Sequence, residues 1–321
     1  MSTRRQAFAL VATAAAWPGA WAQQPAGKVW RIGILTTNSV AFMADRVEAL
    51  RVAMRERGYV EGRNLVLDFR TTDGRDDLLA EVGADIVRQN PDVIVSHGLV
   101  PRILKKLTTT IPVVITDTVD PVGQGLAVSL ARPGGNFTGQ VFFGEQIAAK
   151  RVELLKQALP RLPHLGLLHV STYRAELMAV RANELQLKAT AFFVEPGEVQ
   201  YAPVFAAMAK QQVTAMAYAD HPTLSSASRA IAEQALKHRI AVAGGPLLAE
   251  SGGFLGYGVR FPDLWASAAL FVDKIFKGAR PGDLPIEGPT RFHTVLNAKV
   301  ARQLGVEVPR TFLANVDQVI E

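Results

Sequence analysis

The chain has 321 residues, 49% of them hydrophobic, no Cys, and a formal charge of +6. Without Cys, disulfide staples, thiol nucleophiles and thiolate metal sites are excluded, so a large apolar core has to hold the fold. The basic excess is scattered rather than gathered into runs, which argues against a nucleic-acid or membrane surface.

The first segment reads as a leader. Arg4 and Arg5 precede an apolar run, Ala7 to Trp17, and Ala20-Trp21-Ala22 offers a small-x-small cleavage site before Gln23. That is the layout of a secretory signal rather than a membrane span. Residues 1–22 are expected to be removed, leaving a periplasmic chain of charge +4, because Arg4 and Arg5 leave and no acidic residue does. Ala7, rather than an aromatic residue, follows Gln6, which favours the general secretory route over twin-arginine export. No Cys follows the cleavage site, so no lipid anchor is expected.

From Val29 onward short apolar runs alternate with helical periods. Val29 to Leu35, Leu65 to Phe69, Asp92 to Val95 and Pro112 to Ile115 read as strands. Val47, Leu50 and Met54, then Leu78 to Val87, carry the helices between them. The pattern repeats with strands at Leu165 to Val170, Ala191 to Val194, Val213 to Tyr218 and Ile240 to Ala243, and with helices at Leu177 to Leu187 and through Ile231. Buried strands separated by helices predict parallel βαβ units covered on both faces. The fold class is therefore α/β, with two doubly wound, Rossmann-like lobes.

Ala148, Val152, Leu155 and Leu159 share one helical face, as do Leu264, Ala268, Phe271 and Ile275, and both helices are placed where the halves join. The expected division is residues 28–144 plus 262–321 for the first lobe and 145–261 for the second. Periodicity alone does not fix the lobe of Arg291 to Glu321.

Ligands of open parallel sheets bind beyond the carboxyl ends of the strands. Those ends carry Thr37 and Asn38, Ser96 and His97, Thr116 and Asp117, then Tyr173, Asp220, His221 and Tyr257. These ten are the candidate ligand contacts; for any one of them, capping the next helix is the competing role. Tyr173 and Tyr257 offer rings to stack on a planar solute, and Asp220 a carboxylate for an ammonium.

Enzyme motifs are missing. There is no G-x-S-x-G, no H-E-x-x-H and no phosphate loop of the G-x-x-x-x-G-K-[ST] type. No cofactor or metal is expected: His164 and His169 have strand rather than helical spacing, and the Asp73, Asp76 and Asp77 cluster lacks the terminal Glu of a calcium loop. An exported α/β hydrolase using Asp220 and His221 remains an alternative, weakened because adjacent strand residues point apart. The stretch DPVGQGLAVSLARPGGNFTG, residues 120–139, resembles a dinucleotide loop only at Gly123-Gln124-Gly125. Asp120 and Pro121 are expected to start a helix of about two turns that Pro133-Gly134-Gly135 ends.

The same stretch carries a resemblance. Asp120-Pro121-Val122-Gly123 with Ser129-Leu130-Ala131-Arg132-Pro133-Gly134-Gly135-Asn136 is similar to the signature of a bacterial family of ABC-transporter substrate-binding proteins of the tryptophan/tyrosine type. GYVEGRNL (58–65), KRVELLKQALP (150–160), FVDKIFKGARPGDLP (271–285) and LGVEVP (304–309) agree with it. The resemblance implies a periplasmic-binding fold of type I, with hinge strands and a solute clamped between the lobes. It also implies an inner-membrane permease and a cytoplasmic ATPase as partners; the receptor itself is expected to be a monomer. A ligand-sensing subunit for a membrane receptor, such as a membrane kinase, rather than an importer component is an alternative reading. Gly256 stands where the family has Ser before Tyr-Gly, and Gly288 where it has Gln, so the resemblance does not by itself carry over the aromatic amino-acid preference.

Overall fold

A computed structural model of the chain describes residues 28–172, 176–198 and 200–321. The leader, the cleavage site and Tyr173 lie outside the described residues. The first half runs β1 (Trp30–Thr36), α1 (Val40–Glu56), β2 (Leu65–Thr71), α2 (Leu79–Arg88), β3 (Val93–Ser96), α3 (Val100–Leu107), β4 (Val113–Thr118) and β5 (Phe137–Val141). The second half runs α4 (Gly144–Ala158), β6 (Leu165–Val170), α5 (Glu176–Glu184), β7 (Ala189–Val194), α6 (Ala202–Lys210), β8 (Ala215–Tyr218), α7 (Pro222–Ser226), α8 (Ser228–Lys237), β9 (Ala241–Gly244), α9 (Pro246–Glu250) and β10 (Leu255–Gly258). The return comprises α10 (Phe261–Phe276), β11 (Ile286–Glu287), β12 (His293–Asn297), α11 (Ala298–Leu304), α12 (Arg310–Leu313) and β13 (Gln318–Ile320).

These elements form two sheets. Among the described residues the first has the order β11-β5-β4-β3-β1-β2, all parallel, and the second has β13-β12-β10-β9-β8-β6-β7, in which β10 and β12 alone pair antiparallel. Strands such as Leu165–Val170 are buried along their whole length because helices cover both faces. In the first sheet, Ile32, Ile34, Val93 and Val95 pack on α1 and α10, and Ile94, Val113 and Ile115 pack on α2 and α3. In the second, Leu167, Ala215 and Leu255 face α4, while Leu168, Met216 and Val242 face α6 and α8.

Two expectations are corrected here. The stretch after Asp120 is a chain of turns, not a helix. Asp120 sits at φ 45° and its carboxylate accepts the Gly123 N–H at 2.8 Å, an Asx turn that competes with the helix, and Gly125 adds a second positive φ. The tail is also divided. The helix α10 and the short β11 belong to the first lobe, but β12 pairs with β10 and β13 with β12, so residues 293–320 complete the second sheet. Composition does not choose between sheets; pairing does, and β12 finds the open edge of β10.

The chain thus crosses between lobes three times among the described residues: from β5 to α4, from β10 to α10, and from β11 to β12. β5 pairs with β11, and β10 with β12, so the crossings run side by side. Phe142, Val259 and Phe292, one from each, meet in a small apolar cluster with Ile147 and Leu264. Three short connections that meet in one narrow cluster have the form of a hinge.

Candidate functional site

Between the lobes, beside this hinge, lies a cavity of about 210 Å³. The first lobe supplies Asp45 and Arg46 from α1. The second supplies Tyr218, Asp220, Ser225 and Ser228 from the end of β8 and the helices after it, and the crossing adds Arg260 and Phe261.

Arg151 organises the second lobe's wall. It sits on α4 within an otherwise apolar face, with no solvent exposure. Its Nε donates to the Tyr257 carbonyl at 2.8 Å, its Nη1 to the Tyr218 carbonyl at 2.9 Å, and its Nη2 to Asp220 Oδ2 at 2.5 Å. One guanidinium thereby ties α4 to the carboxyl ends of β8 and β10 and meets a carboxylate that is itself buried. Gly258, at φ 148°, makes room: a Cβ there would stand 3.1 Å from Arg151 Nη2. Tyr218 lies at the same edge with its ring against Gly244, and burial pushes its phenol above the usual range.

Arg46 is the first lobe's cation. It is buried, its Nη1 donates to the Phe42 carbonyl at 2.6 Å, and it touches the exposed Asp45 at 3.2 Å. Phe42 and Phe261 stand 4.3 and 5.2 Å from the guanidinium carbon. Burial pulls its pKa below the usual value, with Asp45 and Asp117 offsetting part of that loss.

The ten sequence candidates divide. Asp220 lines the cavity, with one oxygen committed to Arg151. His97 and Asp117 instead form a network inside the first lobe. His97 Nε2 lies 2.7 Å from Thr36 Oγ1 and Nδ1 3.6 Å from Asp117 Oδ2, while Asp117 Oδ1 accepts the Gly98 N–H at 3.0 Å. Those residue types suggest an acyl-transfer triad, but Thr36 is fully buried and its hydroxyl also accepts the Asn38 N–H. Thr116 hydrogen-bonds the Ser96 carbonyl, and the Thr37 carbonyl accepts the Gly74 N–H. Among the described residues, Asn38 Oδ1 and Ser96 Oγ are buried without a hydrogen-bond partner, as are side-chain oxygens of Thr72, Thr118 and Gln140 at the same sheet edge. Buried polar atoms of this kind are normally hydrogen-bonded, so that edge has acceptor and donor capacity beyond its contacts among the described residues.

His221 caps α7: its Nδ1 accepts the Thr223 N–H at 3.2 Å, while Asp220 pairs with Arg151, and among the described residues no hydrogen bond joins His221 to Asp220. Tyr257 faces α4 and stacks on Phe292 at 5.9 Å, outside the cavity lining. The residues missed in sequence are Arg46, Tyr218, Ser225, Ser228 and Phe261. For Arg46 a signal existed: it lies between Met43 and Leu50 on the buried face of α1, where a charge is out of place.

A family model described as ABC transporter substrate binding protein matches residues 31–320. The chain belongs to this family. The substrate-binding protein is 21% identical over 260 residues to a tyrosine-binding protein of Clostridioides difficile (strain R20291), covering 79% of this chain and 75% of that one. Its fold is similar to the ABC domain of Streptococcus pneumoniae in complex with L-Trp, at TM-score 0.81 and 24% identity, covering 91% and 99% of the two chains. A conserved domain protein of Vibrio cholerae gives TM-score 0.81 at 26% identity, covering 91% and 100%. The two-lobed architecture is that of type I periplasmic-binding proteins, and the function is binding of a small solute for an ABC transporter.

Proposed function

We propose that this protein is the exported receptor of an ABC importer, and that it binds an amino acid or a closely related small acid in the cavity between its lobes. The observation that carries the reading is the cavity itself, walled by Arg46 from one lobe and by Asp220 and Tyr218 from the other, next to three side-by-side crossings. A volume of about 210 Å³ suits a metabolite better than a larger molecule, since pockets for drug-sized ligands run from about 300 to 1,000 Å³. The tyrosine- and tryptophan-binding relatives make aromatic amino acids the first solutes to try. A solute that bridges the lobes favours the closed form, which a permease is able to distinguish from the open one. The partners in this reading are an inner-membrane permease and its cytoplasmic ATPase, with the receptor working as a monomer in the periplasm.

Native mass spectrometry of the protein purified from an exporting bacterium tests the binding: one small molecule retained per chain, displaced by its own excess, is the expected result. The same sample tests the processing. Its intact mass should correspond to a chain beginning at Gln23; a full-length, cytoplasmic product would remove the periplasmic role.

A further inference from the structure

Arg46 differs from the other cations at the cleft in what its nitrogens do. Arg151 spends all three nitrogens on Tyr257, Tyr218 and Asp220. Arg260 pairs with Glu250 at 3.0 Å and donates to Gln318. Arg46 uses Nη1 alone; its Nε and Nη2 make no hydrogen bond among the described residues. The flanking acids do not close the account. Asp45 is 61% exposed, and Asp117 already accepts the Gly98 N–H and faces His97.

Phe42 and Phe261 hold the guanidinium in place. With rings against it and its side chain buried, the group has little freedom, and its N–H edge is the part left to a ligand. A fixed planar fork of donors matches a carboxylate, which accepts two parallel hydrogen bonds. Such a ligand would also neutralise a cation whose burial is under-compensated. Among the described residues the opposite wall adds no second free cation: Asp220 is tied to Arg151, and beside it stand the hydroxyls of Tyr218, Ser225 and Ser228.

We propose that Arg46 is the acid-group clamp of this receptor, so that a carboxylate is the obligatory feature of its solute and an ammonium is not. The assignment rests on the reading of the interlobe cavity as the solute site. It widens the solute class from amino acids to small aromatic or aliphatic monocarboxylates, held by the acid group from the first lobe and by hydroxyls and Asp220 from the second.

Calorimetry with L-tyrosine, L-tryptophan, 3-(4-hydroxyphenyl)propionate and indole-3-propionate, and with the amides of the two amino acids, tests it. The wild type should bind at least one acid, and bind its amide about tenfold to a hundredfold more weakly, the range of a hydrogen bond to a charged group. Arg46→Gln should lose the same factor for the acid and little for the amide. Arg46→Lys, which keeps the charge without the fork, should fall between. Melting curves without solute report whether each variant folds, and the acid–amide comparison needs no variant. Equal binding of acid and amide, or an unchanged Kd in folded Arg46→Gln, would overturn the clamp while leaving the amino-acid reading intact. If none of the acids binds the wild type, both the clamp and the amino-acid reading fall together.

Discussion

Arg151 is tolerable in the interior of α4 only because Asp220 and two carbonyl oxygens meet it there. Side-chain exposures of 1% for Arg151 and 7% for Asp220 leave little solvent to screen the charge if the partner goes. Asp220→Ala should therefore cost about 3–5 kcal/mol in chemical denaturation, the usual penalty for leaving one half of a buried pair. Asp220→Asn keeps a hydrogen-bond acceptor and should cost less; if both variants unfold like the wild type, the pair is not structural. His221 gives a second prediction. Burial lowers its pKa from the ordinary 6.5, with Asp76 opposing, and Nδ1 must stay unprotonated to accept the Thr223 N–H. Since the unfolded chain takes the proton first, its contribution to stability is full above 6.5 and is lost as the pH falls through the lower, folded-state value. Melting temperatures across that range should drop more for the wild type than for His221→Asn, which caps without titrating.

Among the elements, β5 is tightly constrained where it pairs with β4. Gly139 faces Ile115 across the β4–β5 ladder at a register shift, with φ 123°, and a Cβ would stand 2.1 Å from the Ile115 carbonyl oxygen. Backbone cannot yield as a flexible side chain does, so Gly139→Ala should destabilise the protein by about 1–3 kcal/mol from overpacking alone, measured by urea unfolding. Strands such as β1, β3 and β6 were legible in the sequence, since an apolar run bounded by polar residues and too short for a buried helix has few other uses. The loop after Asp120 was misread because Asp-Pro is as good a start for a turn as for a helix, and Gly123 and Gly125 tip the balance. The sheet that β12 and β13 join was not legible, because it depends on which edge stands open in the assembled lobe. Strand-end polar residues pose a related problem: Asp220 lining the cavity and His97 bonding to Thr36 look the same in one dimension. Arg46 and Arg151 were the stronger signal, each a charge inside an apolar helical stripe, where burial requires a partner or a ligand.

At the scale of the whole molecule, two separately cored lobes are joined by Phe142, Val259 and Phe292 and the strands around them. A joint of that size leaves the lobes free to open, and a solute touching both walls adds its binding energy to the closed form alone. Binding should also raise stability by about 2.7 kcal/mol at one hundred times Kd, because only the folded chain has the cavity. The most direct test is small-angle X-ray scattering of the mature protein, titrated with the solute that native mass spectrometry identifies. A radius of gyration that falls with occupancy and reaches its limit at one solute per chain is the predicted result; an unchanged radius at saturation would contradict a receptor that closes its lobes on a small solute.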